Sequence, residues 1–94
     1  HGGELETSLL RSIAPELVQM ERAVRHYADF PETGTPLFFF GPATSAWFSR
    51  DWSEDGIFGD ATLGTAEKGN ALIAAGGQRL ADLIRVISRF ETAR

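Results

Sequence analysis

The last third of the chain constrains the fold most. Leu80, Leu83, Ile84, Ile87 and Phe90 recur at steps of three and four, with Thr65 placed as a cap and Glu67 in the first turn. The pattern predicts one helix from Ala66 to about Phe90, roughly 37 Å long. A rod of that length outgrows a globule of 94 residues, so it reads as a piece docked on a larger body. Gly69, Gly76 and Gly77 interrupt it. Each costs about 1 kcal/mol against Ala in a helix interior, which calls for close packing or a kink.

The middle of the chain cannot continue such a helix. Pro31, Gly34, Pro36, Gly41 and Pro42 punctuate it. Between them Leu37-Phe38-Phe39-Phe40 is the one obvious strand candidate, and four bulky residues in a row suggest a strand covered on both faces or buried at a subunit contact. Ala43 to Gly59 mixes Trp47, Phe48, Trp52 and Phe58 with Arg50, Asp51, Glu54 and Asp55. That mixture predicts a structured loop that packs its aromatic rings and exposes its charges, with a substrate lid or an interface as further roles.

At the start, Leu9, Leu10 and Ile13 form an apolar stripe suited to a short helix, with Thr7 or Ser8 as its natural cap. Pro15 withholds an amide from a continuing helix but suits the first turn of a new one, with Glu16 near its positive end. We therefore expect a break near Ala14 and a second short helix through about Met20.

A net charge of -4, 43% apolar and 23% charged residues describe an ordinary folded chain rather than a disordered one. Arg and Lys are scattered and outnumbered by acids, which argues against nucleic-acid binding. No stretch approaches the roughly 20 apolar residues that span a bilayer, so no membrane association is expected. The lack of Cys removes disulfides and thiolate metal sites together. A reducing cytoplasm is compatible with that composition, and a cytoplasmic location is the expectation.

The chemistry is concentrated in His1-Gly2-Gly3-Glu4-Leu5-Glu6-Thr7-Ser8. Imidazole is the side chain whose ordinary pKa lets it take and give a proton near neutrality. Gly2 and Gly3 allow the backbone close to a ligand, and Glu4 or Glu6 can orient an imidazole or bind a metal. Two apart, the two carboxylates share a face if the segment is extended and diverge by about 200° if it is helical. An extended opening would let them work together. Their alternative roles are a solvated acid for Glu4 and a helix-start carboxylate for Glu6. His26, between Arg25 and Tyr27, reads as a surface residue.

These eight residues resemble the His-(Ala/Gly)-Gly-x-x-Glu-Thr-Ser signature of the creatininase (creatinine amidohydrolase) family. A second block, Gly56-Ile57-Phe58-Gly59-Asp60 followed by Ala61-Thr62-Leu63-Gly64-Thr65-Ala66-Glu67-Lys68-Gly69, is similar to the family's Gly-x-x-Gly-Asp-Pro-x-x-Ala-(Thr/Ser)-x-Glu-Lys-Gly stretch. Two blocks in the right order are more specific than either alone. The likeness runs from His1 to about Leu83, with Ala61 where the family usually has Pro and Gly64 where it usually has Ala.

The resemblance implies an α/β fold in which residues 1–94 are the C-terminal part of a single three-layer α/β/α creatininase-like domain. Within this chain that part should be mostly helical, with one or two short strands and the long final helix. It implies a metal-dependent amidohydrolase acting on a cyclic amide or related non-peptide C–N bond, using zinc and/or manganese. Most ligands of that metal centre would lie upstream. It also implies a homo-oligomer, a hexamer by family precedent. His1 would be the catalytic proton shuttle, Gly2, Gly3 and Glu4 would contact substrate, and Glu6 would be a metal-side or structural acid. Alone, the chain is expected to be inactive. The competing reading is a non-catalytic assembly module whose aromatic segment and long helix form an oligomer interface.

Overall fold

In a computed structural model of the chain, residues 1–27, 34–38 and 43–92 are described. Two helices cross and a two-stranded sheet lies beside them. The elements are α1 (Glu4–Ile13), β1 (Arg25–His26), β2 (Gly59–Asp60) and α2 (Ala66–Ser88), with tight 3-10 turns between them.

Helix α1 begins one turn earlier than the apolar stripe predicts, with Gly3 rather than Thr7 or Ser8 at its N-cap. Glu4 and Glu6 occupy the first turn and Arg11 the last, matching the helix dipole at both ends. The helix stops at Ala14, because a residue before proline is driven out of helical geometry. The second short helix expected through Met20 is instead two separate 3-10 turns, Pro15–Leu17 and Met20–Arg22, divided by non-helical Val18 and Gln19.

Strands β1 and β2 pair antiparallel, Arg25 opposite Asp60 and His26 opposite Gly59. The Ala61 amide donates to the Val24 carbonyl at 3.1 Å and extends the ladder by one bond. A proline at position 61 would have no N–H and could not make it.

Helix α2 keeps the capped start predicted for it. The Thr65 hydroxyl accepts from the Lys68 amide at 3.2 Å. It ends at Ser88, two residues short of Phe90, and runs unbroken through Gly76 and Gly77. Only Gly69 meets the close packing that the three glycines called for. It is buried where α2 crosses α1; an added Cβ would overlap the Ser8 carbonyl oxygen and lie 2.7 Å from Ser12 Oγ, whereas at Gly76 and Gly77 it would meet nothing within 4 Å.

Of the strand expected at 37–40, Phe38 makes a single parallel bridge to Thr44, while Phe39 and Phe40 lie outside the described residues. Leu37 and Phe38 are exposed at 42% and 43% rather than covered on both faces. The loop behind them does pack rings: Trp47 meets Trp52 at 6.0 Å between centroids and Trp52 meets Phe58 at 5.7 Å, both edge to face. Phe48 is exposed beneath the Arg50 guanidinium, 4.2 Å from the ring centroid.

A single apolar side chain, Ala61, is buried among the described residues. The accessible surface is 7670 Å², against about 5,400 Å² for a compact monomer of this mass. The radius of gyration is 18.3 Å, where a compact chain of this length has about 12 Å. Leu80, Leu83, Ile84 and Ile87 of α2 are all more than half exposed. A groove of about 540 Å³ beside the helix crossing exposes Leu5, Ala71 and Leu72.

The crossing gives a direct test. Gly69→Ala should destabilise the chain by about 1–3 kcal/mol or more, because neither backbone can yield without separating the helices. Gly76→Ala should raise the stability of α2 by about 1 kcal/mol. Urea midpoints of the two variants, read by circular dichroism, should therefore move in opposite directions.

Candidate active site

The opening turn is held by the helix it leads into. Gly2 has φ 58, in the left-handed region open to glycine. Its amide donates to the Glu6 carboxylate, and its carbonyl accepts from Thr7 Oγ1 at 3.2 Å. The two peptide groups that flank Gly2 are thus each held by a side chain about one helical turn further on. Gly3 lies so close to the second block that a Cβ there would stand 3.1 Å from the Phe58 carbonyl oxygen.

The rest of the first block binds the second. Ser8 is fully buried and its hydroxyl accepts from the Thr65 amide at 3.0 Å. Arg11 Nη1 donates to the Gly64 carbonyl at 2.7 Å. Lys68 Nζ donates to Glu4 Oε1 at 2.6 Å and to the Leu63 carbonyl at 2.8 Å. Gly64 is buried against Thr7: a Cβ there would be 2.5 Å from Thr7 Cγ2.

His1 is exposed and fastened through its backbone. Its carbonyl accepts from the Phe58 amide at 2.7 Å and its nitrogen donates to the Phe58 carbonyl at 3.4 Å. The imidazole stands 5.7 Å from the Phe58 ring, centroid to centroid. Gly59, at φ 126, lies so near Gly3 that a Cβ added to it would stand 3.6 Å from the Gly3 Cα. Beyond it, Asp60 Oδ1 accepts from the Thr62 amide at 3.0 Å and from the Thr62 hydroxyl, closing the turn that leads to α2.

His26 is not the free surface residue that its neighbours suggest. Its Nδ1 lies 3.1 Å from Asp55 Oδ1 and 3.4 Å from Ser53 Oγ. Ser53, buried to 4% exposure, also lies 2.6 Å from Asp55 Oδ1 and 2.9 Å from the Ile57 carbonyl oxygen. A single hydroxyl proton serves one of these acceptors at a time. Asp55 Oδ1 also accepts from the Ile57 amide at 2.9 Å. The Ser53 hydroxyl and the Ile57 amide, then His26, hold the Asp55 carboxyl at about 2, down from 3.8. Serine, histidine and aspartate meet here, but not as a nucleophile triad. Serine and carboxylate both address one ring nitrogen, whereas a triad uses opposite nitrogens. The cluster is a clasp on the turn at 53–57. Nothing local in the sequence announces it, since His26 and Asp55 are 29 residues apart.

Among the expected site residues, His1, Gly2, Gly3 and Glu6 come together, with Glu6 committed to the Gly2 amide. Glu4 turns instead to Lys68. The shared carboxylate face expected of an extended opening is absent, because both acids sit in the first turn of α1 and diverge around it. Among the described residues no three His, Asp or Glu gather to hold a metal ion.

The two sequence blocks thus interlock turn by turn, and comparison with known proteins gives that arrangement a family. The creatininase profile, described as creatinine amidohydrolase, matches residues 1–84. The chain belongs to the creatininase family. It also superposes on a solved creatininase carrying a tryptophan-to-alanine substitution, with TM-score 0.72 and 31% identity, over 96% of this chain and 32% of that one. The chain therefore spans about a third of that creatininase. No curated protein matches it. No helix among the described residues is long and apolar enough to cross a membrane.

Ser8→Ala should cost about 1–3 kcal/mol by leaving the Thr65 amide without its partner inside the contact, read as a lowered urea midpoint. The Asp55 carboxyl is depressed on folding, so its contribution is complete above pH 3.8 and fades as pH falls through about 2. Asp55→Asn should flatten the fall in stability across that window, measured as the urea midpoint against pH.

Proposed function

We propose that this chain supplies one wall of the hydrolytic site of a creatininase-like amidohydrolase acting on a cyclic amide or related non-peptide C–N bond. The carrying observation is the joint between the two blocks, in which His1 is paired through its backbone to Phe58 while Glu6 and Thr7 hold the amide and the carbonyl of Gly2. An exposed imidazole on a fixed main chain is suited to moving a proton between water and a leaving nitrogen. Gly2 and Gly3 bring peptide groups to the surface beside it, where a planar amide can approach closely. Glu6 keeps that turn in place. Glu4 would reach a substrate only by releasing Lys68.

The zinc and/or manganese implied by the family resemblance does not fit the described residues, which contain no three-ligand cluster. On this reading the metal belongs to polypeptide beyond this third of a creatininase domain, as do the remaining layers of the α/β/α architecture. The exposed apolar face of α2 supports contact with further protein, and a homo-oligomer, a hexamer by family precedent, is the proposed assembly.

The test is hydrolysis of creatinine and small lactams by a full-length protein carrying this chain. His1→Asn should lower kcat on the order of 10²- to 10⁴-fold while leaving KM within a few-fold. Full activity in that variant would remove the proposed role.

A further inference from the structure

Between His26 and His1 runs a continuous path of short contacts. Asp55 Oδ1 gathers His26 Nδ1, the Ser53 hydroxyl and the Ile57 amide. The next residue, Phe58, pairs its backbone with His1 and faces the His1 imidazole with its ring. Trp52, one residue before Ser53, packs its edge geometry against the same Phe58 ring at 5.7 Å and 84°. The turn is therefore pinned at its base by β1 and delivers its far end to the histidine.

We propose that Asp55 is a positioning residue for His1: by fixing the 53–57 turn to His26, it sets where Phe58 holds the His1 imidazole. This rests on the reading of His1 as the proton-transfer residue. Asp55 acts at a distance, through two successive main-chain links, and touches no substrate. Three donors converge on a single oxygen, so an uncharged side chain that keeps that oxygen keeps most of the geometry. Alanine removes the convergence point and frees the turn on both sides.

The experiment uses the full-length metal-loaded protein with ring-labelled histidine, comparing Asp55→Ala, Asp55→Asn and His1→Asn. Asp55→Ala should lower kcat on the order of tenfold or more, as loss of alignment does, with KM and bound metal little changed. The His1 ring resonance should move, and its titration midpoint should shift. Asp55→Asn should restore both to within about threefold of the parent. Parent-like kcat and an unmoved His1 resonance in Asp55→Ala overturn the proposal. Where Asp55→Ala does not fold, His26→Gln carries the test: it removes one donor only, and a displaced His1 resonance supports the clasp while an unmoved one overturns it. His1→Asn separates the two ideas. If that variant stays active, the catalytic reading of His1 fails, whereas the response of the His1 resonance to position 55 still decides whether Asp55 positions it.

Discussion

Everything in this structure depends on how closely α1 can approach α2. A glycine at position 69 admits the Ser8 carbonyl to a distance that any side chain would forbid. That approach places the Ser8 hydroxyl under the Thr65 amide, Arg11 under the Gly64 carbonyl and Lys68 against Glu4. Apolar burial contributes little, since Ala61 is the one buried apolar side chain among the described residues. The joint is polar and steric. Buried polar groups of this kind fix one geometry because each unpaired partner costs free energy. The Glu4–Lys68 pair is about half exposed on both sides, and by itself such a pair adds little.

The signature residues gain physical meanings from this arrangement. Glu6 and Thr7 serve the peptide groups on either side of Gly2, and Ser8 serves the start of α2. The second block provides the other half of each contact, with Phe58 for His1 and Gly59 for Gly3. On the proposed reading, chemical and structural duties are divided between neighbours in sequence: His1 is exposed, while the residues after it hold the main chain.

Much of this was legible in the residues, and the gaps have physical causes. The long helix and its Thr65 cap follow from apolar spacing and a side-chain acceptor, both local properties. The start of α1 was misplaced because the apolar stripe begins a turn later than the helix, whose first turn is set by the acids at 4 and 6 and the glycine cap. The β1–β2 pairing left no trace in sequence, since two-residue strands have no period to detect. The Phe-rich run misled at Leu37 and Phe38, whose composition predicts burial but which stand exposed in this chain. Gly76 and Gly77 announced a close neighbour that is not among the described residues. The clasp of His26, Ser53 and Asp55 arises only after the chain has folded back across nearly thirty residues, beyond any local rule.

The long-range bonds of the two blocks all span nearly the same stretch of chain: Ser8 to Thr65 and His1 to Phe58 are each 57 residues apart, and Glu4 to Lys68 is 64. Closing one such loop costs roughly 3 to 4 kcal/mol of chain entropy, and once closed it brings the other partners within reach at little added cost. These contacts should form together or not at all. The geometry around His1 is therefore coupled to the meeting of the helices through the closure of the same loop.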